Sequence, residues 1–167
     1  NDDIGVVNGA YRLLKPGSEG EEKYWDYQRK IKAREAKMGA SIGSHGAFYV
    51  VKRSLVDLLP PDTINDDFVL PMRIVSKGYK SVYVEDINSL ELDETDISLE
   101  VGRRQRIGAG NIQQLIWLKH LLLPKYGGVA FNFLSGKALR TIMPILLITA
   151  FGGSLILADS LLFLISA

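Results

Sequence analysis

Three short clusters on this chain carry side chains that could do chemistry together: Ser44-His45-Gly46-Ala47, Asn65-Asp66-Asp67 and Arg103-Arg104-Gln105-Arg106. One of two adjacent carboxylates can act as a general base and take a proton from a hydroxyl. Guanidinium forks donate in planar pairs, which suits the phosphate oxygens of an anionic leaving group. Each cluster also has a plain structural use. Asn65-Asp66-Asp67 fits an N-cap followed by acids at the positive end of a helix dipole. The two uses are compatible, since a base at a helix start is held rigidly. The arginine run fits a solvated helix face on which Arg103 and Arg106 share a side and Arg104 does not. His45 is either a ligand-binding group or an ordinary loop histidine, and any tight turn wants glycines such as Gly43 and Gly46.

These clusters need elements to position them. Ile4–Val7 is a short β-branched run, and Asn8-Gly9 after it predicts a turn. Tyr11–Gly20 reads as irregular, broken by Pro16, Gly17 and Gly20. The pattern from Glu21 to Met38 is helical, with Tyr24, Tyr27, Ile31 and Met38 on one face and Trp25 beside it, read as core packing. Ala47–Val51 predicts a strand, and Ser54–Leu59 a short helix closed by Pro60-Pro61. A further helix is expected from Asp66 to Lys77 with Gly78 as its cap, then a strand at Ser81–Val84. Leu99–Leu123 reads as one or two helices, with Gly108 and Gly110 as the weak point.

The tail differs in kind. Thr141–Ala158 carries no charge, and the stretch is long enough to cross a bilayer. A buried core helix is the alternative. Lys137 and Arg140 precede the apolar run, which by the positive-inside rule places that end in the cytosol.

Bulk composition narrows the classes. The 167 residues suffice for one modest domain with a core. A net charge of +1 creates no global field for nucleic acid, which is not expected as a partner. There are no cysteines, so disulfides and thiolate metal sites are excluded. The two histidines, His45 and His120, are too few for a histidine metal centre. Asp2-Asp3 is adjacent rather than alternating and is not read as a metal motif. Asn1–Gly9 reads as the continuation of a larger unit.

In order, these motifs resemble the catalytic C-terminal half of a membrane-bound family 2 glycosyltransferase of the GT-A type. Gly43-Ser44-His45-Gly46-Ala47 is similar to the family's Gly-x-x-Gly-Ala loop. Asp66-Asp67 stands where the family has its acidic pair, whose second carboxylate is the base. Arg103-Arg104-Gln105-Arg106-Ile107 occupies the place of Gln-x-x-Arg-Trp, with Arg106 kept, Arg103 for Gln and Ile107 for Trp. The Gly108-Ala109-Gly110-Asn111 that follows is similar to a variant in a bacterial subgroup, and the lost Trp argues against a processive polymerase. Phe133–Arg140 resembles the segment before a transmembrane helix, with Gly136 in place of a histidine.

The resemblance runs from Ile4 to about Pro144. It implies an α/β fold, the C-terminal half of a GT-A mixed sheet over 1–97, interfacial helices over 98–140 and a transmembrane helix over 141–167. It implies inverting transfer from a nucleotide-diphosphate sugar to a lipid-linked or polysaccharide acceptor at the cytosolic face of a bacterial inner membrane. Asp67 would be the base and Asp66 its neighbour. Arg103, Arg106, Gly46, Ala47 and His45 would contact donor diphosphate or acceptor. Mg²⁺ or Mn²⁺ would be held by ligands outside this chain, in an N-terminal half that carries the nucleotide site. A non-catalytic membrane-associated scaffold that keeps the fold is the alternative.

Overall fold

The computed structural model describes residues 2–14, 18–91 and 97–166 and shows a mixed α/β arrangement. Lys15–Gly17, the expected breakers, lie outside the described residues. Three strands form one sheet: β1 (Ile4–Leu13), β2 (Tyr49–Val51) and β3 (Lys80–Glu91). The order is β2-β1-β3, with β2 antiparallel to β1 and β3 parallel to it, so the sheet is mixed. Val6 pairs with Val51 on one side and with Ser81 on the other.

The turn expected at Asn8-Gly9 does not form. β1 runs through both residues to Leu13, and the start of the stretch read as irregular is strand. The reason lies in β3, where the register jumps from the Gly9–Val84 pair to Ala10–Asn88. The extra residues bulge toward β1, and a Cβ on Gly9 would stand 2.9 Å from the Ile87 carbonyl oxygen. Gly9 serves close approach rather than a turn. Asn8 is buried inside the sheet and donates to Ser81 Oγ and to the Val82 carbonyl, each at 2.9 Å.

Helix α1 (Glu19–Lys37) begins at Ser18, whose hydroxyl accepts from the Glu21 N–H at 3.2 Å. Its packing differs from the expected aromatic face, since Tyr24, Tyr27 and Met38 are exposed. Specific partners set the rotation of the helix instead. Trp25 tilts against Tyr11, with ring centroids 4.4 Å apart, and buried Glu35 accepts from the Ile42 N–H at 2.9 Å.

No helix spans Ser54–Leu59; only Arg53–Leu55 makes a 3₁₀ turn. Side chains of the next helix take the partners instead: Lys77 donates to the Leu55 carbonyl at 3.1 Å and pairs with the Asp57 carboxylate at 2.6 Å, and Arg73 donates to the Leu58 carbonyl at 3.4 Å. Helix α2 (Asp66–Ser76) then buries Phe68, Val69, Met72, Ile74 and Val75. Gly78 closes it with φ +95°, a left-handed conformation that favours glycine.

Helix α3 (Ile97–Trp117) is continuous through Gly108 and Gly110 and passes into a 3₁₀ turn at Lys119–Leu122. Gly110 is needed for packing: a Cβ there would lie 2.3 Å from Asn65 Nδ2. Helix α4 (Gly128–Phe133) leads through a π-helical turn at Leu134–Ala138 into α5 (Leu139–Ser166). The core joins Ile42, Phe68, Met72, Val75, Leu118, Leu121, Val129 and Phe133. Burying a side chain of this size contributes roughly 1.5–3 kcal/mol.

The continuous helix from Gly128 to Ala158 is long and apolar enough to cross a membrane, and its apolar window has 0 % of its residues buried. The buried-core alternative for the tail therefore does not hold in this structure. Ile148 is 72 % and Phe151 66 % exposed. Pro144 and Gly152-Gly153 all lie within α5 without ending it.

Candidate active site

The site forms where the loop before β2 meets the head of α2. The loop Gly43–Ala47 is fixed from both sides. Ser44 Oγ donates to Asn8 Oδ1, and the Ser44 N–H donates to the Asp67 carbonyl at 3.0 Å. Gly46 lies against the Asp67 carboxylate, where an added Cβ would stand 3.3 Å from Oδ2. The absence of a side chain at Gly46 thus leaves one edge of the carboxylate open.

Asp66 and Asp67 occupy the first turn of α2 as expected, Asp66 exposed and Asp67 half-buried. Asn65 sits at the N-cap position, but its side chain makes no capping hydrogen bond. It packs against Gly110 instead, and Gln113 clasps the same loop. Gln113 Oε1 accepts from the Ile64 N–H at 3.0 Å, and Nε2 donates to the Asp62 carbonyl at 2.9 Å. Helix α3 is thereby docked on the segment that delivers the two carboxylates.

Burial pushes the Asp67 carboxyl above the usual aspartate range, and the Asp66 charge adds to this. Lys137, the Phe68 backbone N–H and Arg106 pull the other way. Tyr49 on β2 also faces the pair: burial and the charges of Asp66 and Asp67 raise its phenol, keeping it a neutral donor. The cluster therefore combines a half-buried base, a second carboxylate, a phenol and two cations from different elements.

Of the residues read from sequence as site candidates, Gly46, Asp66 and Asp67 are brought together, and the Arg106 charge acts on Asp67 from α3. Ala47 is exposed beside Gly46, and its N–H donates to His45 Nδ1 at 3.2 Å. His45 stacks on Tyr11, with centroids 4.0 Å apart, and meets Trp25 edge-on at 5.6 Å. It is a member of an aromatic cluster on the α1 side of the loop. Arg103 and Arg104 are exposed on the turn of α3 before Arg106.

Lys137, Tyr49 and Asn8 were not among the expected site residues, and Ser44 was named only as part of its cluster. A signal existed for Lys137, which stands in the motif-bearing segment before the apolar tail. Asn8 carried the wrong signal, because Asn-Gly favours turns. An open cleft of about 220 Å³ beside Tyr11, Trp25, Asp26 and Arg29 lies apart from Asp67.

The described residues do not form a divalent-metal site. Among the described residues no three acidic, histidine or cysteine side chains converge. The two carboxylates at hand are faced by Lys137 and Arg106, and Asp3 is paired with Lys80 at 2.6 Å. Comparison with protein-family models and with curated proteins finds no match for the chain.

Proposed function

We propose that this chain is the acid–base half of an inverting, membrane-bound glycosyltransferase of family 2, with a GT-A type fold, and that Asp67 is its general base. One observation carries the reading. Asp67 is half-buried at the head of α2, open toward Gly46, and under the charges of Lys137 from the turn between α4 and α5 and of Arg106 from α3. Burial favours a carboxylate that accepts a proton readily, and general bases work best when so tuned.

In this reading Asp67 takes the proton of the acceptor hydroxyl as that oxygen attacks the anomeric carbon. The bond to the diphosphate oxygen breaks on the opposite face. Arg106, with Arg103 on the same side of α3, stabilises the negative charge that develops there. Asp66 repels the Asp67 charge and helps keep the base reactive, and the Tyr49 phenol orients an oxygen beside the pair. The donor is a nucleotide-diphosphate sugar, and the acceptor is a lipid-linked or polysaccharide hydroxyl at the cytosolic face of a bacterial inner membrane. The Mg²⁺ or Mn²⁺ that such donors use would be held by residues outside this chain, and no step here passes through it. The apolar α5 supports the membrane placement.

The test is turnover of a panel of nucleotide sugars by the parent protein in membranes, wild type against Asp67→Asn. Loss in the variant with retained membrane insertion supports the base. Equal turnover removes Asp67 from the chemistry. Absence of turnover with every donor favours the non-catalytic scaffold.

A further inference from the structure

Lys137, which flanks the apolar tail, stands over the ring of Phe68, the residue next to the candidate base. Lys137 lies in the π-helical turn Leu134–Ala138, between α4 and α5. A π turn accommodates one extra residue, which rotates everything after it by about 100° relative to an uninterrupted α-helix. Here that rotation aims Lys137 at the head of α2. Its Nζ sits 4.2 Å from the centroid of the Phe68 ring, and Phe68 is the residue next to Asp67.

Phe68 is a rigid shelf. It is buried in the core and packs on Phe133, with centroids 6.3 Å apart. A cation resting on such a ring is fixed in place rather than sampling solvent. Nothing else claims this ammonium: among the described residues Lys137 makes no ion pair within 4.0 Å. The neighbouring Lys32 is committed elsewhere, to Glu35 at 3.2 Å and to the Ile42 carbonyl. Arg140 and Arg106 are both exposed, so solvent screens their fields more than that of half-buried Lys137.

We infer that Lys137 is a positioning residue for the candidate base: its ammonium, parked on Phe68, holds the Asp67 carboxylate in the ionised, proton-accepting form. Every charged or titratable group facing that carboxylate enters the balance. Asp66 on α2 disfavours the charge, Tyr49 on β2 is neutral, and Arg106 on α3 and Lys137 favour it. Burial first, then the charges of Lys32 and Arg140, lower the Lys137 ammonium to about 8, and the Asp67 charge works against them, so Lys137 is still charged where a carboxyl titrates. Without Lys137, burial and Asp66 would meet only the screened Arg106 and the Phe68 N–H. Asp67 would then hold its proton to higher pH.

The inference rests on the glycosyl-transfer reading only for what Asp67 does, and its test needs no substrate. The full chain in detergent micelles, labelled with ¹³C at the aspartate carboxyls, is titrated by NMR, and Asp67→Asn identifies the Asp67 signal. Lys137→Met is expected to raise the Asp67 midpoint by about one pH unit. Lys137→Arg is expected to restore it, and Arg106→Gln to move it less than Lys137→Met does. Should Lys137→Met not fold, Lys137→Gln replaces it, with the same rise expected. A midpoint unmoved by either neutral variant overturns the inference, as does Lys137→Arg shifting as far as Lys137→Met. Intact turnover in Asp67→Asn would sink the catalytic reading while leaving this electrostatic result to be judged on the midpoint.

Discussion

The backbone N–H of Ser44 donates to the backbone carbonyl of Asp67 at 3.0 Å, joining the glycine loop to the first turn of α2. Ser44 is anchored in turn by its hydroxyl on Asn8, deep in the sheet. A carboxylate meant to accept a proton must stay where the proton is released, and a small misplacement costs rate. This bond ties the Asp67 backbone to the sheet through Ser44 and Asn8, and buried Phe68 anchors the next residue in the core.

Asp67→Asn should stabilise the protein at neutral pH. A group whose folded pKa is raised adds stability that is fully present below its unfolded value, near 3.8, and lost as pH rises through the folded value. At pH 7 the ionised Asp67 is therefore a cost that Asn removes. The melting temperature of the variant should exceed wild type at pH 7 and converge with it near pH 3. A variant less stable at pH 7 contradicts the direction of the shift. The same shift places the acid limb of any turnover profile above the ordinary aspartate range.

Gly46→Ala puts a methyl 3.3 Å from Asp67 Oδ2, so that one of the two must give way. The carboxylate is the mobile partner. Turnover should fall roughly tenfold through its misplacement, with little change in melting temperature. Full activity in this variant would show that the open edge of Asp67 is not used.

Asn8→Ala removes both donations, to Ser81 Oγ and the Val82 carbonyl, and leaves Ser44 Oγ without its acceptor. Orphaning buried polar partners typically costs about 1–3 kcal/mol. Denaturant unfolding of the detergent-solubilised chain should show a loss in that range. A loss below about 0.5 kcal/mol would mean that the three partners re-pair or hydrate freely.

Two glycines of α3 should respond with opposite sign. Gly110→Ala drives a Cβ to 2.3 Å from Asn65 and should destabilise by about 1–3 kcal/mol, the usual cost of overpacking. Pairing it with Asn65→Ala should recover much of that loss in a double-mutant cycle. A Cβ on Gly108 meets nothing within 4 Å, so Gly108→Ala should stabilise by about 0.5–1 kcal/mol through helix propensity. Equal effects at the two positions would contradict the close approach of α3 to the acidic loop.

The acid pair at the head of a helix, the glycine loop before a strand and Arg106 on a long helix were legible because each depends on local chemistry. Their convergence was legible only as an order of motifs. The motif before the apolar tail marked Lys137 but not its direction, because what turns it onto Phe68 is one residue of π-helical slack, which leaves no mark on hydrophobic periodicity. Asn8 was misread since Asn-Gly favours a turn, and only the bulge of β3 shows why Gly9 belongs inside a strand. The aromatic face of α1 failed for a similar reason. Periodicity marked Tyr24 and Tyr27, whereas tertiary partners of Trp25 and Glu35 decided which face turned inward.

The lysine over Phe68 and the apolar tail belong to one continuous helix. Lys137 precedes Thr141, the first residue of the charge-free stretch, by a single turn, about 6 Å of rise at 1.5 Å per residue. On the proposed reading this spacing is a ruler. It sets the depth at which a hydroxyl must be presented, and a glycan carried on a long stalk would overshoot it. Bilayer thickness, which tilts such a helix, would then tune which acceptors are within reach.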